Sequence, residues 1–279
     1  MSRDETRLAT NGPGGGTDLK MRRLFSLALC CAVGLASCRN QGSDPVDARC
    51  AWPAPPRIIR EDGQAMLLEW RLPDRDIYSE PVVPPDSALL AFRAAVRADS
   101  ADLRRPVADP PQPKNEAEAA MWRDEDVNHE LAQSGEVGNI EGMTCLDALL
   151  FAYQNARVSE LTHPTEFIAS VLRREVNGRS ELVVVFGAGG EMFVPKSVYG
   201  FDVVVELVAQ GWDYWYVIHN HTLQRNGDRV ALGRPTLSIS DVHLVGNLAA
   251  DQGLRSARVT NGFFTFSVRA DEFSRMRSR

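Results

Sequence analysis

The sequence predicts a mixed α/β (α+β) domain over residues 136–279. Segments with helical periodicity alternate there with short segments rich in β-branched and aromatic residues. The pair Asn177-Gly178 separates two apolar runs, which is a strong signal for a β-hairpin. Residues 212–219 (WDYWYVIH) have the composition of a buried strand. These three observations together indicate a sheet covered by helices.

The predicted elements of this domain follow from the periodicity of each segment. In chain order we expect a helix at 145–157, a hairpin of strands 166–173 and 181–186, a strand at 191–194, a helix at 203–210, a strand at 212–219, a helix at 238–250, and strands at 257–260 and 263–268.

Residues 38–135 are predicted to form a polar tether and a proline-rich accessory region of uncertain fold. Eight prolines lie from Pro73 to Pro113, and proline breaks helices and cannot donate to a β-ladder. The candidate elements here are a strand at 65–70, a capped amphipathic helix at 86–97 and an acidic helix at 115–133.

Residues 21–37 have the pattern of a secretory signal. Two arginines precede an apolar run that is too short to span a membrane. The end of this run, Leu35-Ala36-Ser37-Cys38, resembles the lipobox of bacterial lipoproteins, which implies that Cys38 is lipidated and becomes the mature N-terminus. The alternative is a plain secretory signal. Because residues 1–20 precede a complete signal, we expect translation to begin at Met21.

The net charge indicates which class of partner to exclude, and the cysteine content indicates the redox environment of the chain. The net charge of −6 argues against a nucleic-acid partner, since phosphate binding needs clustered Lys and Arg. Cys30 and Cys31 would leave with the signal, so Cys50 and Cys145 remain as a candidate disulfide of an exported chain. The alternative is two free buried thiols.

Candidate metal ligands lie at the end of the aromatic strand, in His219-Asn220-His221. Residues i and i+2 of a strand share a face, so the two imidazoles can bind one ion. Ser238 and Asp241 open the next predicted helix and share one helix face. Asp241 could supply the third protein ligand that a catalytic zinc site requires.

This pattern resembles the JAMM motif of the JAB/MPN metallopeptidases, in which His-x-His closes a strand and Ser-x-x-Asp opens a helix. The family also has a glutamate upstream in a strand that follows a helix, and Glu166 lies 53 residues before His219. The H-N-H spelling is similar to the RadC-type branch. The resemblance covers residues 140–268.

The resemblance implies a cytidine-deaminase-type mixed sheet flanked by helices. It implies that His219, His221 and Asp241 bind zinc, that Glu166 is the general base, and that Ser238 hydrogen-bonds the oxyanion. The expected protein is a zinc-dependent hydrolase that cleaves a peptide or isopeptide bond. Its expected partners are a peptide or conjugated-protein substrate and, through a lipid anchor, a membrane of the bacterial cell envelope, at its periplasmic or outer-membrane face.

Two departures from the family pattern leave a second interpretation open. Thr222 replaces the usual proline, and the loop at residues 222–237 is longer than in the family. This loop is either a substrate gate or a sign of a non-catalytic interaction module. Rival candidates for the base are Glu160, Glu175, Glu181 and Glu191. A purely structural envelope lipoprotein, which would bind no metal, is the third interpretation.

Overall fold

The computed structural model describes residues 45–99, 113–226 and 229–278. The extension at residues 1–20, the signal at 21–37 and Cys38 therefore lie outside the described residues. The helices are α1 (Ser87–Asp99), α2 (Glu116–Ser134), α3 (Cys145–Arg157), α4 (Phe201–Ala209) and α5 (Ile239–Gln252), with short 3-10 turns at Asp76–Ser79, Lys196–Val198 and Ala270–Arg275. The strands are β1 (Arg57–Asp62), β2 (Ala65–Pro73), β3 (Asn139–Gly142), β4 (Phe167–Val176), β5 (Arg179–Ala188), β6 (Asp213–Asn220), β7 (Gln224–Asn226), β8 (Arg229–Ala231), β9 (Ser256–Thr260) and β10 (Phe264–Arg269).

One mixed sheet of eight strands organises the fold, in the order β1-β2-β5-β4-β6-β9-β10-β3. The neighbours are antiparallel except for β6 and β9, which are parallel. Parallel strands need a crossover connection, and α5 lies within the segment that joins β6 to β9. The predicted mixed α/β class, with helices flanking the sheet, is confirmed.

The helices cover both faces of the sheet. Along the central strand β5, Val184 and Phe186 belong to one hydrophobic cluster, whereas Val183 and Val185 belong to the other. Helices α1 and α3 pack in the first cluster, and α4 and α5 pack in the second. Because β5 is buried on both faces, it is apolar at consecutive positions rather than at alternate ones. No helix among the described residues is both long and apolar enough to cross a membrane.

The predicted boundary at residue 135 does not separate two structural units. Strand β2 pairs with β5 from Met66 to Pro73, and Phe92 of α1 lies 5.2 Å from Phe151 of α3, measured between ring centroids. Asp44–Arg279 therefore forms one compact unit. The sequence could not reveal this, because pairing between β2 and β5 joins segments more than a hundred residues apart.

The predicted strand at residues 191–194 is wrong. Residues 191–193 form bends after β5, Val194 has no regular secondary structure, and Met192 and Phe193 are 52% and 69% exposed. Gly189, Gly190 and Pro195 flank the segment, and no ladder pairs with it in the described sheet. Apolar composition suggested a strand, but a strand also requires a partner for its backbone.

A disulfide joins Cys50 to Cys145, with their Cα atoms 5.6 Å apart. Cys145 is the first residue of α3, whose N-terminus is capped by Thr144. Both cysteines are fully buried. The bridge attaches the segment before β1 to α3, the helix that precedes β4.

Candidate metal centre

Two histidines at the end of β6 present their imidazoles to one another. His219 lies opposite Ile168 of β4 and beside Val259 of β9. His221 continues the pairing with β9, since its backbone N–H donates to the carbonyl of Thr260 over 2.9 Å. The Nε2 atoms of the two imidazoles lie 3.2 Å apart. The i, i+2 relation expected from the sequence therefore brings both side chains to one point.

Asp241 approaches the histidines from the first turn of α5. Because α5 crosses from β6 to the parallel strand β9, its N-terminus lies at the carboxyl end of β6. Oδ2 of Asp241 lies 3.3 Å from Nε2 of His219 and 3.4 Å from Nε2 of His221. The donor atoms of the three residues all lie within 4.8 Å of one another. This group could hold a metal ion.

The spacing of the three donor atoms fits a single tetrahedral ion. Two ligands at about 2.05 Å from such an ion lie about 3.3–3.4 Å apart. The separations of 3.2, 3.3 and 3.4 Å between the donor atoms match this value. Three protein ligands would leave the fourth position of such an ion for water or substrate, as in catalytic rather than structural zinc sites.

The loop before α5 orients His221. Its Nδ1 lies 2.7 Å from the carbonyl oxygen of Arg234, so Nδ1 carries a proton and donates it, and neutral His221 keeps a lone pair on Nε2. The guanidinium of Arg234 pairs with Asp126 of α2. A Cβ at Gly233 would lie 2.6 Å from the Cβ of His221. Glycine is therefore required where the loop passes the metal ligand.

The charges of His219, His221 and Asp241 shift the pKa values of His221 and Asp241 in the directions that favour their charged forms. Burial alone would lower the pKa of His221, but the hydrogen bond and the negative charge of Asp241 raise it. Burial alone would raise the pKa of Asp241, but the charges and hydrogen bonds of His219 and His221 lower it well below its usual range. Asp241 is therefore ionised at neutral pH and can bind a cation without first losing a proton.

Ser238 is the N-cap of α5. Its Oγ accepts the N–H of Asp241 over 3.2 Å, and Oδ2 of Asp241 accepts the N–H of Ser238 over 2.8 Å. This reciprocal capping box orients the carboxylate toward the histidines. Oγ of Ser238 also lies 2.9 Å from Oγ of Ser240. The Ser238 hydroxyl thus has a structural role, and either it or the Ser240 hydroxyl donates in the hydrogen bond between them.

Glu166 directly precedes β4 and is fixed by its backbone. Its N–H donates to the carbonyl of Met192 over 2.9 Å. Burial raises the pKa of the Glu166 carboxyl, the positive charges of His219 and His221 oppose this rise, and the negative charge of Asp241 adds to it. All three residues of the candidate metal centre therefore act electrostatically on the Glu166 carboxyl.

The rival glutamates lie in less suitable places. Glu175 and Glu181 lie toward the hairpin-turn end of β4 and β5, away from the end where the histidines lie. Glu191 is exposed in the loop after β5. Glu160 is buried close by, but its two carboxyl oxygens accept backbone N–H groups from two loops. Of these candidates, Glu166 is the one whose carboxyl is affected by the charges of His219, His221 and Asp241 together.

Two further residues near the centre belong to no sequence motif. Tyr199 lies before α4, and burial followed by the negative charges of Glu166 and Asp241 raises the pKa of its phenol. Glu125 of α2 accepts the N–H of Ile239, and burial raises the pKa of its carboxyl. Both residues reach the site through tertiary packing, so no local spacing could have identified them.

The long loop at residues 222–237 is anchored at both ends. Leu223 and Leu232 belong to the hydrophobic core. Between them β7 and β8 pair as a short antiparallel hairpin. The paired strands β7 and β8 are therefore held between two buried leucines.

Glu160 makes the folding stability depend on pH. It lies between α3 and β4, is 2% exposed, and burial raises its pKa from 4.5 to about 7. Between these pH values the folded protein holds a proton that the unfolded chain releases. The stability contributed by this proton is fully present below the unfolded pKa of 4.5 and is lost as the pH rises through the folded pKa of about 7.

We expect the free energy of unfolding of the metal-free wild type to fall between about pH 5 and pH 8. This fall should be roughly 2–3 kcal/mol larger than the fall in Glu160→Gln over the same range. Glutamine stays neutral, so the difference between the two proteins isolates the titration of Glu160. Urea denaturation at a series of pH values measures it. An identical pH dependence in both proteins would contradict protonation of Glu160 in the folded state.

The centre thus combines two strand histidines, a helix aspartate and a neighbouring glutamate at one edge of the sheet. The four residues come from three segments of the chain, and a capping box and backbone hydrogen bonds hold them. The function of the chain has to be inferred from this arrangement. No protein-family model matches the chain, and neither a curated protein nor a solved structure is significantly similar to it.

Proposed function

We propose that this protein is a zinc-dependent hydrolase of the JAB/MPN type, which cleaves a peptide or isopeptide bond. The observation that carries the proposal is the metal centre itself. Three donor atoms from His219, His221 and Asp241 have the spacing of one tetrahedral ion. The carboxyl of Glu166 lies within their electrostatic influence.

The donor set favours zinc. Two imidazole nitrogens and one carboxylate oxygen are ligands that zinc accepts in catalytic sites, which use three protein ligands and one open position. The hydrogen bonds that orient the ligands are also typical of zinc sites. The carbonyl of Arg234 accepts the Nδ1 proton of His221, and the backbone N–H of Ser238 donates to the carboxylate of Asp241. Zinc would supply Lewis acidity, which activates water at neutral pH and polarises a carbonyl group.

In this mechanism Glu166 accepts a proton from the attacking water and passes it to the leaving amine. A carboxyl with a raised pKa suits both steps, because it takes up a proton more readily than an ordinary glutamate does. The Ser238 hydroxyl donates to the oxyanion after turning from Ser240. The capping box keeps Ser238 close to Asp241 throughout.

The order of elements around the site supports the JAB/MPN assignment. A helix, α3, precedes the hairpin of β4 and β5, and Glu166 stands immediately before β4. His219 and His221 close β6, and Asp241 lies in the first turn of the crossover helix α5. The resemblance in the sequence implies the same order.

We assign the protein to the cell envelope as a lipoprotein anchored through Cys38. The Cys50–Cys145 disulfide supports an exported location, because disulfides persist in oxidising compartments. The substrates expected there are a peptide, a conjugated protein or a cell-wall cross-link.

A non-catalytic JAB-type interaction module is the second candidate. The hydroxyl of Ser238 is engaged by the helix cap and by Ser240, so it is not aimed freely at a substrate. Thr222 and the hairpin insertion also depart from the family pattern. Such a module would keep the metal centre without turnover.

Metal analysis of the purified protein tests the proposal. We expect about one zinc per chain in the wild type and almost none in His221→Ala, because two remaining ligands hold zinc weakly. His243→Ala is a matched control, since His243 is exposed on α5 and its imidazole contacts Asn247. A folded wild-type protein that neither contains zinc nor takes it up would overturn the metal centre and the hydrolase with it.

A further inference from the structure

Asn220, between the two histidines, points away from them into the protein. Its side chain is 1% exposed. Its Oδ1 accepts the N–H of Phe167 over 2.7 Å, and its Nδ2 donates to the carbonyl of Thr165 over 3.0 Å. Only one orientation of the carboxamide satisfies an N–H and a carbonyl together, so the partners determine that orientation. The two bonds hold the residues on either side of Glu166.

The Asn220 side chain makes hydrogen bonds at the point where the ladder between β4 and β6 ends. Strands β4 and β6 pair up to Ile168 and His219. The next residues, Phe167 and Asn220, pair with β5 and β9 on their other sides but not with each other. The carboxamide of Asn220 instead makes two hydrogen bonds to the opposite strand segment. Residues at the end of a ladder normally fray, but here the chain around Glu166 stays attached to the strand that carries the histidines.

Other buried side chains complete this attachment at Thr165. The Thr165 N–H donates to Glu160, and its hydroxyl accepts a hydrogen bond from the amide of Gln154. The second carboxyl oxygen of Glu160 accepts the N–H of Leu223, just after the histidine pair. Buried side chains therefore hydrogen-bond to the backbone beside Glu166. Among them, Asn220 comes from β6, the strand that carries the histidines.

We infer that Asn220 is a positioning residue, whose buried carboxamide clamps the backbone on both sides of Glu166 and so fixes the Glu166 carboxyl relative to His219 and His221. This inference rests on the proposed function, in which Glu166 acts at the metal. It gives a role to the residue between the two histidines: His219 and His221 would bind the ion, and Asn220 would position the base Glu166.

The first test is amide hydrogen exchange of the metal-free protein, measured by NMR. In Asn220→Ala we expect the Phe167 amide to exchange at least about tenfold faster, while amides of α5 keep their rates. Asn128→Ala is the matched control, because buried Asn128 makes the same pair of bonds, 2.7 and 3.0 Å, to the backbone of Arg277. An unchanged Phe167 rate would overturn the clamp. If Asn220→Ala does not fold, Asn220→Ser, whose hydroxyl is too short to span both partners, replaces it.

The second test uses Co²⁺ in place of zinc and follows the visible spectrum of the loaded protein against pH. Glu166→Gln removes a negative charge beside the ion. It should therefore shift the midpoint, which is the pH at which half of the change in the visible spectrum has occurred. Asn220→Ala should bind Co²⁺ at the same stoichiometry and shift the midpoint toward the Glu166→Gln value, with no further shift in the double variant.

Each result of this titration decides a different point. A wild-type midpoint in Asn220→Ala, an additive shift in the double variant, or loss of Co²⁺ binding in Asn220→Ala alone would overturn the positioning role while leaving the metal centre intact. A wild-type protein that binds no Co²⁺ would overturn the proposed function, and with it the role of Asn220 at a catalytic base, whatever the exchange rates show.

Discussion

Loss of the Cys50–Cys145 disulfide should lower the free energy of unfolding by about 4–5 kcal/mol. The bridge closes a loop with a sequence separation of 95 residues, and an unfolded chain with so long a closed loop loses much of its conformational entropy. The double variant Cys50→Ala/Cys145→Ala should unfold at a correspondingly lower urea concentration than the oxidised wild type.

Reductant provides the control for this measurement. Adding it should destabilise the wild type to about the level of the double variant, and it should leave the double variant unchanged. A double variant as stable as the oxidised protein would mean that packing alone holds the segment before β1 against α3.

Replacement of Glu166 by glutamine should reduce turnover by about 10²–10⁴-fold and leave the metal content unchanged. Glutamine has nearly the same shape as glutamate but cannot accept the proton of the attacking water, and general acid–base catalysis contributes about this factor. A diverse peptide library digested by the wild type and analysed by mass spectrometry would supply the substrate. The rate constants of the variants are then compared on the cleaved peptide.

Glu191→Gln is the matched control for this change. Glu191 is an exposed glutamate in the loop after β5, so the same substitution there should keep turnover near the wild-type rate. Full activity in Glu166→Gln would exclude Glu166 as the base. Zinc binding without any cleavage by the wild type would favour the interaction module.

Much of the fold was predictable because its elements are locally encoded. The periodicity of α3 and α5, the Asn177-Gly178 turn and the aromatic strand β6 all agree with the structure. The group of His219, His221 and Asp241, which could hold a metal ion, was predictable for the same reason. A spacing of two in a strand and an N-cap serine three residues before an aspartate are local relations, and they determine where these side chains point.

The remaining features depend on contacts between distant parts of the chain. The pairing of β2 with β5, which makes the proline-rich region part of the sheet, has no local signal. The approach of Tyr199 and Glu125 to the metal centre depends on how α2 and the loop before α4 pack. Burial of Glu160, which raises its pKa to about 7, likewise arises only when two loops surround it.

The sequence by itself therefore determined the mixed α/β class, the main helices and strands, and the residues that can bind a metal, because each depends on spacing along the chain. Only the tertiary structure decided that residues 57–73 belong to the same sheet and that Asn220 holds the backbone around Glu166. The physical reason is that hydrogen bonds and burial between distant segments exist only after the sheet has assembled.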